Sequence, residues 1–152
     1  MDEKTIIGLA GALFGAVTTY MVAVLKLRRG LEYKYDTDLR DKRIPQYLAL
    51  WKLLEDLAKY ARPKQLTFDD LYKLTASLRQ WYFERGGLFL SEKSRDKYFA
   101  LQDAIEKVLD IKGQPGAAMV DDGTYECLRK SGSDLRTALT RDVGTRKAPK
   151  LN

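Results

Sequence analysis

Residues 5–25 read TIIGLAGALFGAVTTYMVAVL, twenty-one positions without a charged side chain. At 1.5 Å per residue, a helix of that length spans about 30 Å, the hydrocarbon thickness of a bilayer. A helix satisfies its own backbone hydrogen bonds, so such a run is able to cross lipid. The competing reading is a cleaved leader. It fits poorly, because residues 1–4 carry Asp2 and Glu3 against Lys4 and are net acidic. The one small-residue cleavage pattern, Ala10-Gly11-Ala12, falls inside the apolar run. The expectation is a retained single-pass helix over 5–25, with residues 1–4 ahead of it.

Basic residues set its direction. Lys26, Arg28 and Arg29 follow the run at once, and Lys34, Arg40, Lys42 and Arg43 come after, whereas only Lys4 precedes it. Positive charge is retained on the cytoplasmic side, so the expected placement is an inner (plasma) membrane with the N-terminus outside. Lys26, Arg28 and Arg29 are also the candidate contacts to anionic lipid headgroups. Within the run, Gly11, Gly15 and Thr19 recur every four residues, beside a second ladder of Gly8, Ala12 and Ala16. Small residues let two helices approach closely, which makes this face the candidate packing surface for a homodimer or a partner's membrane helix. The plainer reading is that glycine is common in membrane helices.

Beyond Leu25 the chain is charge-rich. Residues 26–43 form a basic connector of net +3, with Asp38 as a possible helix cap and Pro45 suited to a first turn or a kink. Ile44, Tyr47, Leu48, Trp51, Leu54, Leu57 and Ala58 then recur at helical spacing, until Arg62-Pro63. Thr67-Phe68-Asp69-Asp70 places a hydroxyl and a carboxylate three apart, a capping-box pattern with Leu66 and Leu71 as the staple. Leu71, Leu74, Leu78, Trp81 and Tyr82 give the inward face of that helix, and Gly86-Gly87 is the expected left-handed stop. Ser91 is placed to cap a third helix with Tyr98, Leu101, Ile105 and Val108 inward, broken by Gly113, Pro115 and Gly116. A last helix starts near Thr124, with Tyr125, Leu128, Leu135 and Leu139 inward and Gly132 as an unfavourable insertion. No stretch alternates as a strand. The fold class is therefore all-α: one N-terminal transmembrane helix, then an antiparallel bundle of about four helices over 44–142 and a disordered basic tail over 143–152.

Composition excludes much. The bundle segment 44–127 is nearly neutral, and the basic excess lies in 26–43 and in 128–152. That is not the basic coat of a nucleic-acid-binding domain, so nucleic acid is disfavoured as a partner. There is no histidine, which weighs against proton relays and zinc sites. The acidic pairs Glu55-Asp56, Asp69-Asp70 and Asp121-Asp122 have no further ligands at useful spacing, and helix-dipole and solvation effects account for them. Cys127 is the only cysteine and reads as a buried packing residue. No catalytic residue, metal or cofactor is expected. The basic tail, including Arg146, Lys147 and Lys150, reads as a solvated end, with anionic lipid as the alternative.

The densest feature is Trp81-Tyr82-Phe83-Glu84-Arg85-Gly86-Gly87-Leu88-Phe89-Leu90. Trp81 and Tyr82 share a helical face with Leu78 and belong to the core, whereas Phe83, Arg85 and Phe89 are the candidate partner contacts.

Three runs, LRDKRIPQYLALWKLLEDLAKY, LTFDDLYKLTASLRQWYFERGGLFLSEKSRDKYFALQDAI and LRTALTRDVGTRK, resemble a family of small bacterial membrane-anchored helical proteins with no known activity. The resemblance covers about residues 36–145 and is most specific at Leu78–Ser91. It implies an N-terminal membrane helix, this helical domain and a bacterial origin, and it transfers no catalytic residue. Pro45 departs from the pattern, which favours a helix former at that position. The functional expectation is a non-enzymatic, membrane-tethered interaction module, an adaptor or an accessory subunit of a membrane assembly. The alternative is peripheral binding of anionic lipid or nucleic acid through the basic segments.

Overall fold

The structure is a computed structural model that describes residues 3–60, 65–112 and 118–145, with side chains described for 15, 18–60, 65–110 and 118–145. Four α-helices run in chain order: α1 (Glu3–Leu53), α2 (Phe68–Trp81), α3 (Glu92–Lys112) and α4 (Asp122–Val143). A 3₁₀ turn, Glu55–Leu57, follows α1, and a π turn, Tyr82–Gly86, then a 3₁₀ turn, Gly87–Phe89, follow α2. Among the described residues the only β-type pairing is an isolated antiparallel bridge between Thr67 and Met119. All-α is thus the fold class. The chain divides into two compact units, Met1–Leu39 and Arg40–Asn152.

In the first unit, the side chains of residues 1–14, 16 and 17, which include most of the expected membrane run, lie outside the described residues. Among those described, no helix is long and apolar enough to cross a membrane. Residues 26–43 are helical throughout, so no helix begins at Asp38. Tyr20, Met21, Leu25, Leu27, Leu31, Tyr33 and Tyr35 are all exposed. The Thr19 hydroxyl donates to the Gly15 carbonyl at 2.8 Å, and Thr37 donates to Tyr33 at 2.9 Å, so both are satisfied within the helix.

In the second unit, α1 passes through Pro45 without a break. Proline removes one backbone bond, to the Asp41 carbonyl, but Asp41 and Pro45 are exposed and water is available to that oxygen. The buried face is Tyr47, Leu50, Leu54 and Leu57, whereas Leu48 is 62% and Trp51 40% exposed. The face keeps Tyr47, Leu54 and Leu57 of the stripe read in the sequence but takes Leu50 in place of Leu48 and Trp51, a rotation of ~60°. Helix α4 decides the rotation. Arg136 donates through Nη1 to the Leu54 carbonyl at 3.0 Å, and its guanidinium lies 6.0 Å from the Trp51 ring centre. A cation on the last carbonyls satisfies acceptors that the helix leaves open. The Tyr47–Asp142, Leu54–Arg136 and Ala58–Tyr125 bonds run in opposite chain directions, so α1 and α4 are antiparallel here.

Helix α2 starts as its sequence dictates. Thr67 accepts from the Asp70 amide, and the Asp70 carboxylate accepts from the Thr67 amide at 3.0 Å. Leu66, Leu71, Leu74, Leu78 and Trp81 are buried. Its end differs from the expected left-handed stop. Gly86 and Gly87 have φ of −105° and −57°, and the Gly87 amide donates to the Tyr82 carbonyl across a π turn. These glycines are needed for closeness. A Cβ on Gly86 would sit 1.9 Å from Trp81 Cζ2, and one on Gly87 2.6 Å from the Tyr82 carbonyl oxygen.

Helix α3 is capped by Ser91, whose Oγ accepts from the Ser94 amide at 3.2 Å. Tyr98, Leu101 and Ile105 are fully covered, and Leu109 is buried. Helix α4 begins at Asp122, two residues before Thr124, because the Asp121 carboxylate caps it by accepting from the Thr124 amide. Gly132 lies buried where α4 meets the Glu55–Leu57 turn, and a Cβ there would come within 3.2 Å of Leu57 Cδ1. Gly144, at φ +70°, supplies the left-handed cap, donating to Arg141 and Thr140. Cys127 is exposed, contrary to the buried reading, because it lies off the Tyr125–Leu128–Leu135–Leu139 stripe. The breakers Arg62-Pro63 and Gly113–Gly116, and tail residues 146–152, fall outside the described residues.

Gly86→Ala should destabilise the second unit by about 1–3 kcal/mol, the range for forcing extra atoms into a packed core. Gly123→Ala, in the exposed first turn of α4, should be neutral or stabilising by ~0.5–1 kcal/mol. Urea unfolding followed by tryptophan fluorescence distinguishes them, and equal effects would refute the close-packing account.

Candidate functional site

Helices α2 and α3 pack against each other. The Tyr98 hydroxyl donates to the Leu78 carbonyl at 2.9 Å, and Tyr82 and Phe99 approach at 5.3 Å between ring centres. Burial raises the Tyr98 pKa, so its phenol holds its proton as this donor. Tyr82 also stacks on Tyr98 at 5.1 Å and meets Phe83 edge-on at 5.3 Å. These rings form one end of a groove of about 500 Å³ between the helices. Phe83 is 76% and Phe99 44% exposed on it, an uncommon display for phenylalanine. Further along, the groove is edged by Asp103, Glu106 and Asp110 of α3 and by Arg79 of α2. Thr75 lines its wall, and its buried Oγ1 has no hydrogen-bond partner.

The aromatic end depends on the link that follows it. Trp81 and Phe83 lie two positions apart where α2 runs into the π turn Tyr82–Gly86, so Trp81 points into the core while Phe83 points out. Trp81 is fixed by its indole N–H, which donates to the Gln46 carbonyl at 3.1 Å. The far end of the link is tied by a polar cluster around Asp142. Ser91 Oγ donates to Asp142 Oδ1 at 2.8 Å, and Ser94 Oγ donates to Oδ2 at 2.7 Å. Tyr47 Oη lies 2.9 Å from Asp142 Oδ2 and 2.8 Å from the Phe89 carbonyl. That carbonyl already accepts from Arg43 Nε at 2.8 Å. A phenol has one proton, so with Phe89 satisfied by Arg43 the carboxylate is its stronger acceptor. Burial, then the bond to Asp142, pushes the Tyr47 pKa above the ordinary phenol value.

The residues singled out in the sequence divide accordingly. Phe83 and Arg85 are exposed on the π turn, and Phe89 is half-buried against the core with its carbonyl in the Asp142 cluster. Gly15 and Thr19 are exposed, with nothing within 4 Å of a Cβ built on Gly15. Gly8, Gly11, Ala12 and Ala16 have side chains outside the described residues. Lys26, Arg28 and Arg29 are exposed on α1. Sequence reasoning missed Phe99, Thr75 and the whole Asp142 cluster. One signal was available for Asp142: a carboxylate in the last turn of a helix faces the negative dipole end and calls for compensating donors. Among the described residues, no three acidic or cysteine side chains group as metal ligands.

Comparison of the chain with protein-family models, curated proteins and solved structures finds no match.

The raised Tyr47 pKa has a stability consequence. The folded state holds the proton more tightly than the unfolded chain, so this contribution is full below about pH 10, the ordinary tyrosine value, and is lost as pH rises above it. Denaturant midpoints measured from pH 8 to 11 should fall at the alkaline end, and Tyr47→Phe should flatten part of that fall. An unchanged alkaline slope in Tyr47→Phe would show that the phenol is not held by burial and Asp142.

Proposed function

We propose that this chain is a non-enzymatic, membrane-tethered interaction module, an adaptor or accessory subunit of a larger membrane assembly. The observation that carries the interaction half is the α2–α3 groove, where Phe83 and Phe99 stand exposed on a surface braced from behind by the core. Aromatic side chains presented by a rigid support are the usual anchors of protein contacts. They are costly to leave in water, and the other described residues leave them exposed.

The tether half rests on the sequence of 5–25 and on the basic residues after it. Three features of α1 agree with it. The described apolar side chains at the end of the run, Tyr20, Met21, Val22 and Leu25, are exposed. The Thr19 hydroxyl is satisfied inside its own helix, as lipid requires. Lys26, Arg28 and Arg29 are exposed, free to meet phosphate headgroups at the cytoplasmic face. The resemblance to small bacterial membrane-anchored proteins favours the same arrangement.

Protease added to intact spheroplasts should spare the C-terminal unit and digest it only after lysis. Digestion without lysis would overturn the orientation. Affinity capture of the full chain from solubilised native membranes should bring down one protein in stoichiometric amount. Recovery of lipid or nucleic acid alone would overturn the interaction reading.

A further inference from the structure

We infer that the α2–α3 groove docks a basic amphipathic helix of a protein partner, with apolar side chains on the aromatic end and lysines or arginines along the acidic edge. The inference rests on the interaction reading above and gives it a partner chemistry.

Charge is the first argument. Three carboxylates of α3, at Asp103, Glu106 and Asp110, edge the groove against the single guanidinium of Arg79. Their spacing puts them on one face of α3. None of the four has an ion-pair partner among the described residues. The neighbouring α3–α4 surface is different: there Lys97 pairs with Asp134, and Lys93 and Arg141 stand against Asp96 and Asp142, so the charges balance. The acidic excess is therefore local to the groove, although the whole chain is +6. Phosphate-bearing partners, lipid or nucleic acid, have the wrong sign for it.

Shape is the second argument. From Tyr98 to Asp110 the lining extends twelve residues along α3, about 18 Å, or three helical turns. A channel between two packed helices accepts a third helix by ridge-and-groove packing. An extended strand has no edge to pair with here, because α2 and α3 spend their backbone groups internally. The third argument is polarity along the wall. The unpartnered, buried Thr75 hydroxyl belongs to the α2 wall of the groove. A buried hydroxyl left unpaired is unfavourable, and a χ1 rotation toward a polar group of the ligand satisfies it.

The test uses the full chain in phosphatidylcholine nanodiscs and a fluorescein-labelled 18-residue Leu/Lys amphipathic peptide. Anisotropy is read against empty nanodiscs, and a Leu/Glu peptide of the same pattern is the control. The Leu/Lys peptide should bind, and raised salt should weaken it. Glu106→Lys with Asp110→Lys should weaken it at least tenfold and let the Leu/Glu peptide bind. Phe83→Ala with Phe99→Ala should weaken it comparably with unchanged helical circular dichroism, since both rings are substantially exposed. Asp134→Lys, an acid off the groove, should change affinity less than twofold. Equal binding of the two peptides, or indifference to the charge reversal, would overturn the inference. The two readings fail separately. A stoichiometric membrane partner that survives the Glu106→Lys, Asp110→Lys change sinks the groove assignment alone, whereas absence of any protein partner sinks the module.

Discussion

One carboxylate holds the second unit in register. Asp142 accepts from Ser91, Ser94 and Tyr47, and so joins α4 to the link before α3, to α3 itself and to α1. Hydrogen bonds to an ionised acceptor contribute about 1.5–3 kcal/mol each, more than neutral ones. The cluster is also costly to break by halves. Ser94 is completely buried, so removing the carboxylate would strand its hydroxyl away from water. The arrangement is complete because each donor has one acceptor: Arg43 serves the Phe89 carbonyl, which leaves the Tyr47 proton for Asp142.

From that tie the presentation of the aromatic groove follows. The ten residues between Trp81 and Glu92 must leave α2, turn, and arrive at the Ser91 cap of α3. Gly86 packs against the Trp81 indole and Gly87 against the Tyr82 carbonyl, so the turn is compressed where any side chain would collide. Trp81 and Phe83, two positions apart on the helical path, face opposite ways, and the π turn that carries Phe83 closes on Gly86 and Gly87. The turn that carries the exposed ring is held at one end by Trp81 on Gln46 and at the other by Asp142.

Much of this was legible in the sequence, and the boundary of legibility has physical causes. The Thr67–Asp70 box, the Ser91 cap and the inward faces of α2, α3 and α4 depend on contacts within a few residues, so the local pattern contained them. The face of α1 was legible only in part. Tyr47, Leu54 and Leu57 belonged to the apolar stripe, but Leu48, Leu50, Trp51 and Leu54 spread over ~160° of the helix, and packing against α4, where Arg136 reaches the Leu54 carbonyl and the Trp51 ring, buries Leu50 and leaves Leu48 and Trp51 outside. Cys127 was misplaced because its residue type suggested burial while its helical position, one step from Leu128, pointed outward. Gly86 and Gly87 were recognised as a stop, but for a left-handed cap they do not form. Their real reason, contact with Trp81 and Tyr82, is a packing distance that no spacing rule encodes. Asp142 joins partners 48, 51 and 95 residues away, beyond the reach of any local spacing pattern.

Pro45 shows how the same long-range contacts override local rules. In an isolated helix a proline in this position costs about 3 kcal/mol, and the sequence accordingly suggested a helix start or a kink. Two features offset that cost. Pro45 lies on the exposed side, so the carbonyl it orphans meets water rather than the core. The residues on either side are tied across the unit, Arg43 to the Phe89 carbonyl and Tyr47 to Asp142, and the turn containing the proline is clamped from both ends. The helix is therefore continuous at the place where the local sequence argues hardest against it, and the clamp that makes it so is the cluster that also fixes the link behind Phe83. The backbone at Pro45 and the aromatic end of the groove share one support, so a change that loosens Asp142 should be felt at both.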